Sequence, residues 1–174
     1  IVPEVFDHGI LESLRGHRAI GHVRYSTSGR SDLTNAQPLL GDCSHGTIGV
    51  AHNGNLVNAA QIRRELKANG SVFQSSTDSE VIINLIARYG ESPLEEAVAR
   101  CAAELRGAFA VVLLSRDKLI GFRDSFGIRP LCLGRMKVSG DSGNEAYVLA
   151  SESCALTSLG ASFVREVAPG EVVV

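Results

Sequence analysis

The sequence predicts an α+β fold in which helices cover mostly antiparallel sheets. Three helical patterns follow one another between residues 59 and 107, and short apolar strand patterns lie before and after this block. Turns rich in Gly, Asp and Ser separate the strand patterns at hairpin-like spacing. A strict alternation of strand and helix would indicate a parallel sheet, so the clustered helices favour antiparallel layers.

Each of the three predicted helices begins at a capping pattern and ends at a glycine. The first helix is predicted over 59–69, with Ile62 and Leu66 on its apolar face. The capping patterns are Asn58 with Gln61, Thr77 with Glu80, and Ser92 with Pro93 and Glu95; the glycines are Gly70, Gly90 and Gly107.

Short apolar runs predict the strands. The clearest run, 108–114, is followed by a tight turn and a second run at 119–122, which indicates a hairpin. The other predicted strands are 19–25, 47–52, 131–133, 146–150 and 171–174, and a surface turn is predicted over 139–145.

Length and composition indicate one globular domain. The 174 residues are enough for a core without disulfide or metal support. The 17 basic and 19 acidic residues give a net charge of −2, and 44% of the residues are hydrophobic, which argues against disorder and against a nucleic-acid-binding surface. The longest apolar run, 108–114, is far shorter than the ~20 residues of a membrane helix, and no secretion signal opens the chain.

The four cysteines are expected to be buried, free thiols in a reducing compartment. They lie far apart and contain no CxxC pair, so no zinc or redox motif is available. They are Cys43, Cys101, Cys132 and Cys154.

Polar residues follow two of the predicted strands, which suggests one shared rim. The guanidinium of Arg24 suits a carboxylate ligand, although a surface charge is the alternative. Asn53-Gly54 is either a hairpin turn or an oxyanion hole, in which the Asn amide and the Gly N–H each donate a hydrogen bond. Asp78 is either a carboxylate in the first turn of a helix or a partner for a substrate ammonium. Together these groups would form a receptor for an amino acid whose side-chain carbonyl is attacked.

Two short segments resemble those of serine proteases, but the predicted helices argue against that class. The chain opens with Ile1-Val2 and contains Gly140-Asp141-Ser142-Gly143, but the three helices contradict an all-β double barrel. His8, His17 and His45 lie in polar segments and are expected at the surface.

Six motifs follow one another in order along nearly the whole chain. They are Gly21-His22-Val23-Arg24-Tyr25-Ser26-Thr27, Asn35-Ala36-Gln37-Pro38, Ala51-His52-Asn53-Gly54-Asn55-Leu56-Val57-Asn58, Ser76-Thr77-Asp78-Ser79-Glu80, Arg123-Asp124 with Gly127-Ile128-Arg129-Pro130-Leu131, and Ala150-Ser151-Glu152-Ser153-Cys154. This set resembles the glutaminase domain of the class II glutamine amidotransferases, which use an N-terminal nucleophile. Within this class, Tyr25 and the Asn-Ala-Gln-Pro motif resemble the sequences of the amidophosphoribosyltransferase branch. The hexosamine branch tends to carry Trp after the Arg of the first motif and His-Pro in the second motif.

The resemblance implies a fold and a set of roles. The fold would be the four-layer αββα sandwich of the N-terminal-nucleophile hydrolases, with its first strands incomplete. Arg24 would hold the glutamine carboxylate, Asp78 its ammonium, and Asn53 with Gly54 the oxyanion. Tyr25 and Thr27 would belong to a loop that closes over bound glutamine.

The resemblance also implies a function. Residues 1–174 would form a partial type-2 glutamine amidotransferase domain that supplies ammonia for converting phosphoribosyl pyrophosphate to phosphoribosylamine, the first step of de novo purine synthesis. The expected partners are glutamine, a phosphoribosyltransferase domain after residue 174 and further copies in a homo-oligomer, with no nucleic acid and no membrane. No cofactor is expected in this segment, Mg²⁺ would act in the phosphoribosyltransferase domain, and an iron–sulfur cluster is left open. The expected location is the cytoplasm.

The sequence departs from the family at its first residue. The family's nucleophile is a Cys at the mature N-terminus, whose amino group serves as general base, whereas residue 1 is Ile and the first Cys is Cys43. We therefore expect a truncated start and no glutaminase activity from these 174 residues alone. The alternatives are a non-catalytic glutamine-binding or regulatory module and the glutaminase domain of another class II amidotransferase. A Cys start upstream in the reading frame would favour the enzyme, and a Met directly before Ile1 would favour the module.

Overall fold

In the computed structural model, which describes residues 8–14, 16–23, 35–138 and 144–174, eight strands form two antiparallel sheets. The strands are β1 (Leu39–Cys43), β2 (Gly46–Leu56), β3 (Gly107–Leu114), β4 (Leu119–Arg123), β5 (Cys132–Lys137), β6 (Glu145–Ala150), β7 (Ser162–Glu166) and β8 (Val172–Val173). The first sheet has the order β1-β2-β3-β4-β8, and the second has the order β6-β5-β7.

The described residues form five helices, and all except the first pack on the outer face of a sheet. They are α1 (His8–Ser13), α2 (Ala59–Ala68), α3 (Ser79–Arg88), α4 (Leu94–Glu104) and α5 (Ser153–Ser158). Helix α3 packs on β1 and β2, and α4 packs on β4 and β8. None of the helices in the described ranges combines the length and the apolar character needed to span a membrane.

Three apolar clusters separate the layers. The largest fills the space between α2–α4 and the first sheet, where the Phe109 and Phe122 rings meet edge to face at 6.1 Å. Ala110 and Leu131 belong to a second cluster between the two sheets, and Cys132 with Leu156 belongs to a third, between the second sheet and α5. The order helix, sheet, sheet, helix confirms the predicted αββα arrangement and its antiparallel pairing.

The three central helices lie where the sequence predicts them, but the predicted capping contacts are wrong. None of α2, α3 and α4 has a side-chain cap hydrogen bond at its N-terminus. Asn58 instead donates to Glu104 O at 2.9 Å and accepts from Arg106 N at 3.0 Å. A contact to distant backbone has replaced the local cap, and it ties the start of α2 to the end of α4.

The predicted strand at 19–25 is wrong for its described part. Residues 19–23 adopt no regular structure, and Val23 is 87% exposed. Among the described residues this run has no partner strand, so its apolar pattern alone cannot form a ladder. Arg24 and Tyr25 lie outside the described residues, as does most of the turn predicted over 139–145.

Four elements were not anticipated from the sequence: α1, β1, α5 and β7. Every residue of β7 is exposed, so the strand lacks the alternation by which a half-buried strand is recognised. In β1 the polar and small residues Gly41 and Asp42 interrupt the apolar run. Both strands form because a partner strand pairs with them.

Candidate functional site

A cleft opens beside the second half of β2 and is lined by residues of both sheets, including Ala110 and Leu149. Asn53, Gly54 and Asp78, three of the residues that the sequence singles out, also line this cleft. Asp78 is 24 positions beyond Gly54 in the chain, and the packing of α3 on β2 brings it alongside the strand.

Asn53 and Gly54 lie within a strand, so the hairpin-turn interpretation is wrong. In β2 Asn53 pairs with Ala110 and Gly54 with Phe109 of β3. Gly54 has a φ of 145°, and a Cβ there would lie 2.1 Å from Ala108 O and 2.8 Å from Phe109 Cα. Only glycine fits this position, because both obstructing atoms belong to the backbone of the neighbouring strand.

The side chain of Asn53 is available to a ligand. It is half-buried, and it makes no hydrogen bond to any residue that the structure describes. An Asn amide at the edge of a cleft can donate to an oxygen that develops negative charge.

Asp78 is held against β2 by its carboxylate. Its Oδ2 accepts a hydrogen bond of 3.0 Å from Leu56 N, and its Oδ1 lies 3.7 Å from His52 Nδ1. The side chain remains 27% exposed. The carboxylate is therefore fixed from the strand side and accessible from the cleft.

The segment before Asp78 is shaped by two charged side chains. Glu80 accepts hydrogen bonds from Gln74 N at 2.7 Å and from Ser75 N at 2.8 Å. Arg63 of α2 donates to Ser75 O at 2.9 Å and to Thr77 O at 2.5 Å. Glu80, predicted to cap α3, thus orders the preceding loop that carries Asp78 to the cleft.

His52 lies between the strand and the start of α3. The residue is 3% exposed, and its Nδ1 is 3.1 Å from Ser79 Oγ. Burial lowers the pKa of the ring; Asp78 opposes this shift, and His22 and Arg129 add to it. The His52 backbone N–H donates to Gln37 Oε1 at 2.7 Å, which joins the Asn-Ala-Gln-Pro motif to β2.

A rigid loop brings Arg129 to the cleft. Buried Asp124 accepts hydrogen bonds from the backbone N–H groups of Phe109, Phe126, Ile128 and Arg129. Burial raises the pKa of Asp124, but these four donors outweigh it and hold the pKa below its usual value. The neighbouring Arg123 donates to Arg129 O at 2.5 Å, so the backbone of Arg129 is fixed at both its N–H and its C=O.

Arg24, Tyr25 and Thr27 lie outside the described residues. The three residues that precede Arg24, namely Gly21, His22 and Val23, line the cleft. His17 is exposed, as expected, whereas His45 is half-buried, and the side chain of His8 is not among those described.

The four cysteines are free thiols, but the prediction that they are buried is right only for Cys101 and Cys132. Cys43 ends the edge strand β1 and is half-buried, and Cys154 lies in the first turn of α5 and is exposed. None of the four lines the cleft. Burial raises the pKa of the Cys101 and Cys132 thiols, so both remain neutral. In the described part of the chain, no three His, Cys, Asp or Glu side chains are grouped so that they could hold a metal ion.

Three further residues, His52, Gln37 and Arg129, occur in the sequence motifs but were not predicted to belong to the site. All three line the cleft. Their positions depend on contacts between distant segments, such as His52 with Ser79 and Gln37 with the His52 backbone. Membership of a motif was the only signal in the sequence that could have pointed to them.

Comparison with known proteins gives one consistent result. A family model for the glutamine amidotransferase domain matches residues 22–158. Amidophosphoribosyltransferase 2 of Arabidopsis thaliana, a chloroplastic protein, is 46% identical over 174 residues, which is all of this chain and 30% of the relative. The amidophosphoribosyltransferase of Bacillus subtilis is 42% identical over 175 residues, covering 100% of this chain and 35% of the relative.

A solved structure described as the allosteric regulatory enzyme of purine biosynthesis shares this fold. It superposes with a TM-score of 0.88 at 42% identity, over 99% of this chain and 36% of that one. The chain thus spans about a third of the length of the curated relatives that it matches.

Proposed function

This chain belongs to the glutamine amidotransferase domain family, and we propose that its cleft binds glutamine and takes part in hydrolysing the side-chain amide. The observation that carries the proposal is the convergence of Asn53, Gly54 and Asp78 on one cleft. A carboxylate and two amide donors are the groups that an α-ammonium and a developing oxyanion require.

Each group acts on a different part of the substrate in this proposal. Asp78 binds the α-ammonium, while its Oδ2 stays fixed by Leu56 N. Asn53 donates its side-chain N–H to the oxyanion, and Gly54 donates its backbone N–H. Arg24 binds the α-carboxylate, and Tyr25 with Thr27 closes over the substrate.

The nucleophile is a thiolate that comes from outside the described residues. The thiolate attacks the amide carbon, the amide nitrogen takes up a proton and leaves as ammonia, and a γ-glutamyl thioester remains. Water then hydrolyses the thioester, which releases glutamate and the free thiol. None of the four cysteines of residues 1–174 lines the cleft, so none of them is proposed as this thiolate. Kinetic assays therefore use the protein as expressed from its own gene.

We further propose that the ammonia converts phosphoribosyl pyrophosphate to phosphoribosylamine in purine synthesis. The similarity to amidophosphoribosyltransferases over the whole chain supports this assignment. Residues 1–174 then act as the glutaminase domain beside a phosphoribosyltransferase domain that uses Mg²⁺, in a homo-oligomer. The cytoplasmic location belongs to the same proposal, and cell fractionation tests it.

Glutamine binding without hydrolysis is a second candidate function. The absence of all four cysteines from the cleft lining favours it. Glutamate release by the protein expressed from its own gene would exclude this second function, and binding of glutamine without release would support it.

The Asp78→Asn variant tests the proposed function. Losing the charge weakens the ion pair with the α-ammonium, and a hydrogen bond between charged groups contributes about 1.5–3 kcal/mol. We expect the KM for glutamine to rise about tenfold to a hundredfold. The matched control is Asp42→Asn, an exposed carboxylate on β1 outside the cleft. An unchanged KM in Asp78→Asn would remove Asp78 from the substrate site.

A further inference from the structure

We propose that His52 is a positioning residue, whose buried imidazole orients the Asp78 carboxylate toward the α-ammonium of the substrate. This inference rests on the proposed function of the same cleft. It assigns a role to a side chain for which the sequence motifs predict none.

Two residues of β2 lie next to the two oxygens of Asp78. The backbone N–H of Leu56 donates to Oδ2 at 3.0 Å, and the His52 ring lies 3.7 Å from Oδ1 through Nδ1. Both contacts come from one strand, four residues apart. The contact with Leu56 alone would leave the carboxylate free to rotate about that hydrogen bond, and the imidazole restricts this rotation.

The ring is itself fixed in orientation. Its Nδ1 is 3.1 Å from Ser79 Oγ, and both His52 and Ser79 are almost completely buried. Two groups lie near Nδ1: the Asp78 carboxylate, which can only accept, and Ser79 Oγ, which can donate or accept. A neutral imidazole has one N–H, so we assign its proton to Nδ1 and the lone pair to Nε2.

The other ring nitrogen supports a role directed at the cleft. Nε2 is buried and has no hydrogen-bond partner among the residues that the structure describes, and His52 lines the cleft. A histidine kept only for packing usually has both ring nitrogens satisfied. Within the described ranges only Nδ1 has partners, and they are the proposed substrate-binding carboxylate of Asp78 and the hydroxyl of Ser79 beside it.

Paired ligands test this role without hydrolysis. L-Glutamate carries the α-ammonium and glutarate lacks it, and the enzyme consumes neither. In the protein expressed from its own gene, His52→Phe should weaken L-glutamate binding about tenfold while the dissociation constant of glutarate stays within about twofold. His52→Asn places an amide N–H close to the position of Nδ1 and should restore most of the loss.

Two further variants distinguish the loss of this contact from a folding defect. Ser79→Ala removes the hydroxyl that fixes the ring and should show the same selective loss, smaller in size. In an Asp78→Asn background, His52→Phe should have no additional effect on L-glutamate binding. The exposed His17→Phe is the control.

The outcomes separate this inference from the proposed function. Equal weakening of both ligands by His52→Phe and Ser79→Ala would show that His52 only supports the shape of the cleft and would overturn the inference, as would no effect on either ligand. If the unmodified protein did not prefer L-glutamate to glutarate, the proposed function would fail, and this inference with it.

Discussion

At the scale of single residues, the charge state of His52 links the site to stability. Its pKa is lowered by burial, and the neighbouring charges are Asp78, His22 and Arg129. Unfolding returns the ring to a pKa near 6.5, so below that pH the unfolded chain binds a proton that the folded chain excludes. The contribution of neutral His52 to the free energy of unfolding is therefore fully present above about pH 6.5. It is lost as the pH falls toward the pKa of the folded state.

This linkage predicts an acid-sensitive stability that depends on His52. For one titrating group, the free energy of unfolding falls by at most about 1.4 kcal/mol per pH unit. Urea unfolding of the 174-residue chain at several pH values between 7.5 and 5 should show it, and His52→Asn should flatten the dependence. The control His17→Asn should keep it. A His52→Asn variant with the full acid dependence would contradict the neutral buried ring.

The residues of the site differ in how far the sequence alone reveals them. Asn53, Gly54 and Asp78 stand in recognisable motifs, and each suits its chemistry by residue type. His52 could not be assigned from the sequence, because its contact with Ser79 joins positions 27 residues apart. Whether Asn53-Gly54 forms a turn depends on the pairing of β2 with β3, which a dipeptide does not determine.

At the scale of elements, the register of β2 on β3 constrains Gly54. A methyl group at this position would collide with the backbone of β3, and its φ of 145° also disfavours any side chain. We predict that Gly54→Ala destabilises the 174-residue chain by about 3 kcal/mol or more. Gly70→Ala is the matched control, because Gly70 has a φ of 91° with nothing within 4 Å of a Cβ.

The control separates strain from collision. Gly70→Ala should cost only the strain of the left-handed conformation, about 1–2 kcal/mol. If urea unfolding showed the same decrease in the free energy of unfolding for both variants, the close approach of β3 to Gly54 would have no energetic consequence.

The elements also show why local patterns succeed for helices and fail for some strands. The helices between residues 59 and 104 have apolar faces of helical period, so their positions follow from nearby residues. Their capping contacts could not be predicted, because Asn58 binds the backbone of Glu104 and Arg106 instead. Strand β7 is exposed throughout and pairs with β5, about 30 positions earlier, so no local pattern predicts it.

At the scale of the whole molecule, the stacking of four layers places the site. The helices pack on the first sheet and bring Asp78 to β2, and the second sheet forms the opposite side of the cleft. The order of predicted elements was sufficient for the fold class. The family resemblance was needed for the layer order, because two antiparallel sheets can stack in several ways.

The loop held by Asp124 connects the first sheet to the cleft. It hydrogen-bonds to Phe109, the residue opposite Gly54, and fixes the backbone of Arg129 at the cleft. The geometry of Asn53 and Gly54, the proposed oxyanion-hole residues, is therefore supported by contacts that extend from β2 across β3 to the end of β4. We infer that the cleft is preorganised by the sheet.

The central claim is that Asn53 and Gly54 stabilise the oxyanion formed when glutamine is attacked. The most direct test is the steady-state glutaminase rate of Asn53→Ala in the protein expressed from its own gene, beside the exposed control Asn69→Ala. Loss of one oxyanion donor acts on the transition state, so kcat should fall roughly 10²-fold to 10³-fold while KM changes little. An unchanged kcat, or a rise in KM alone, would contradict the claim.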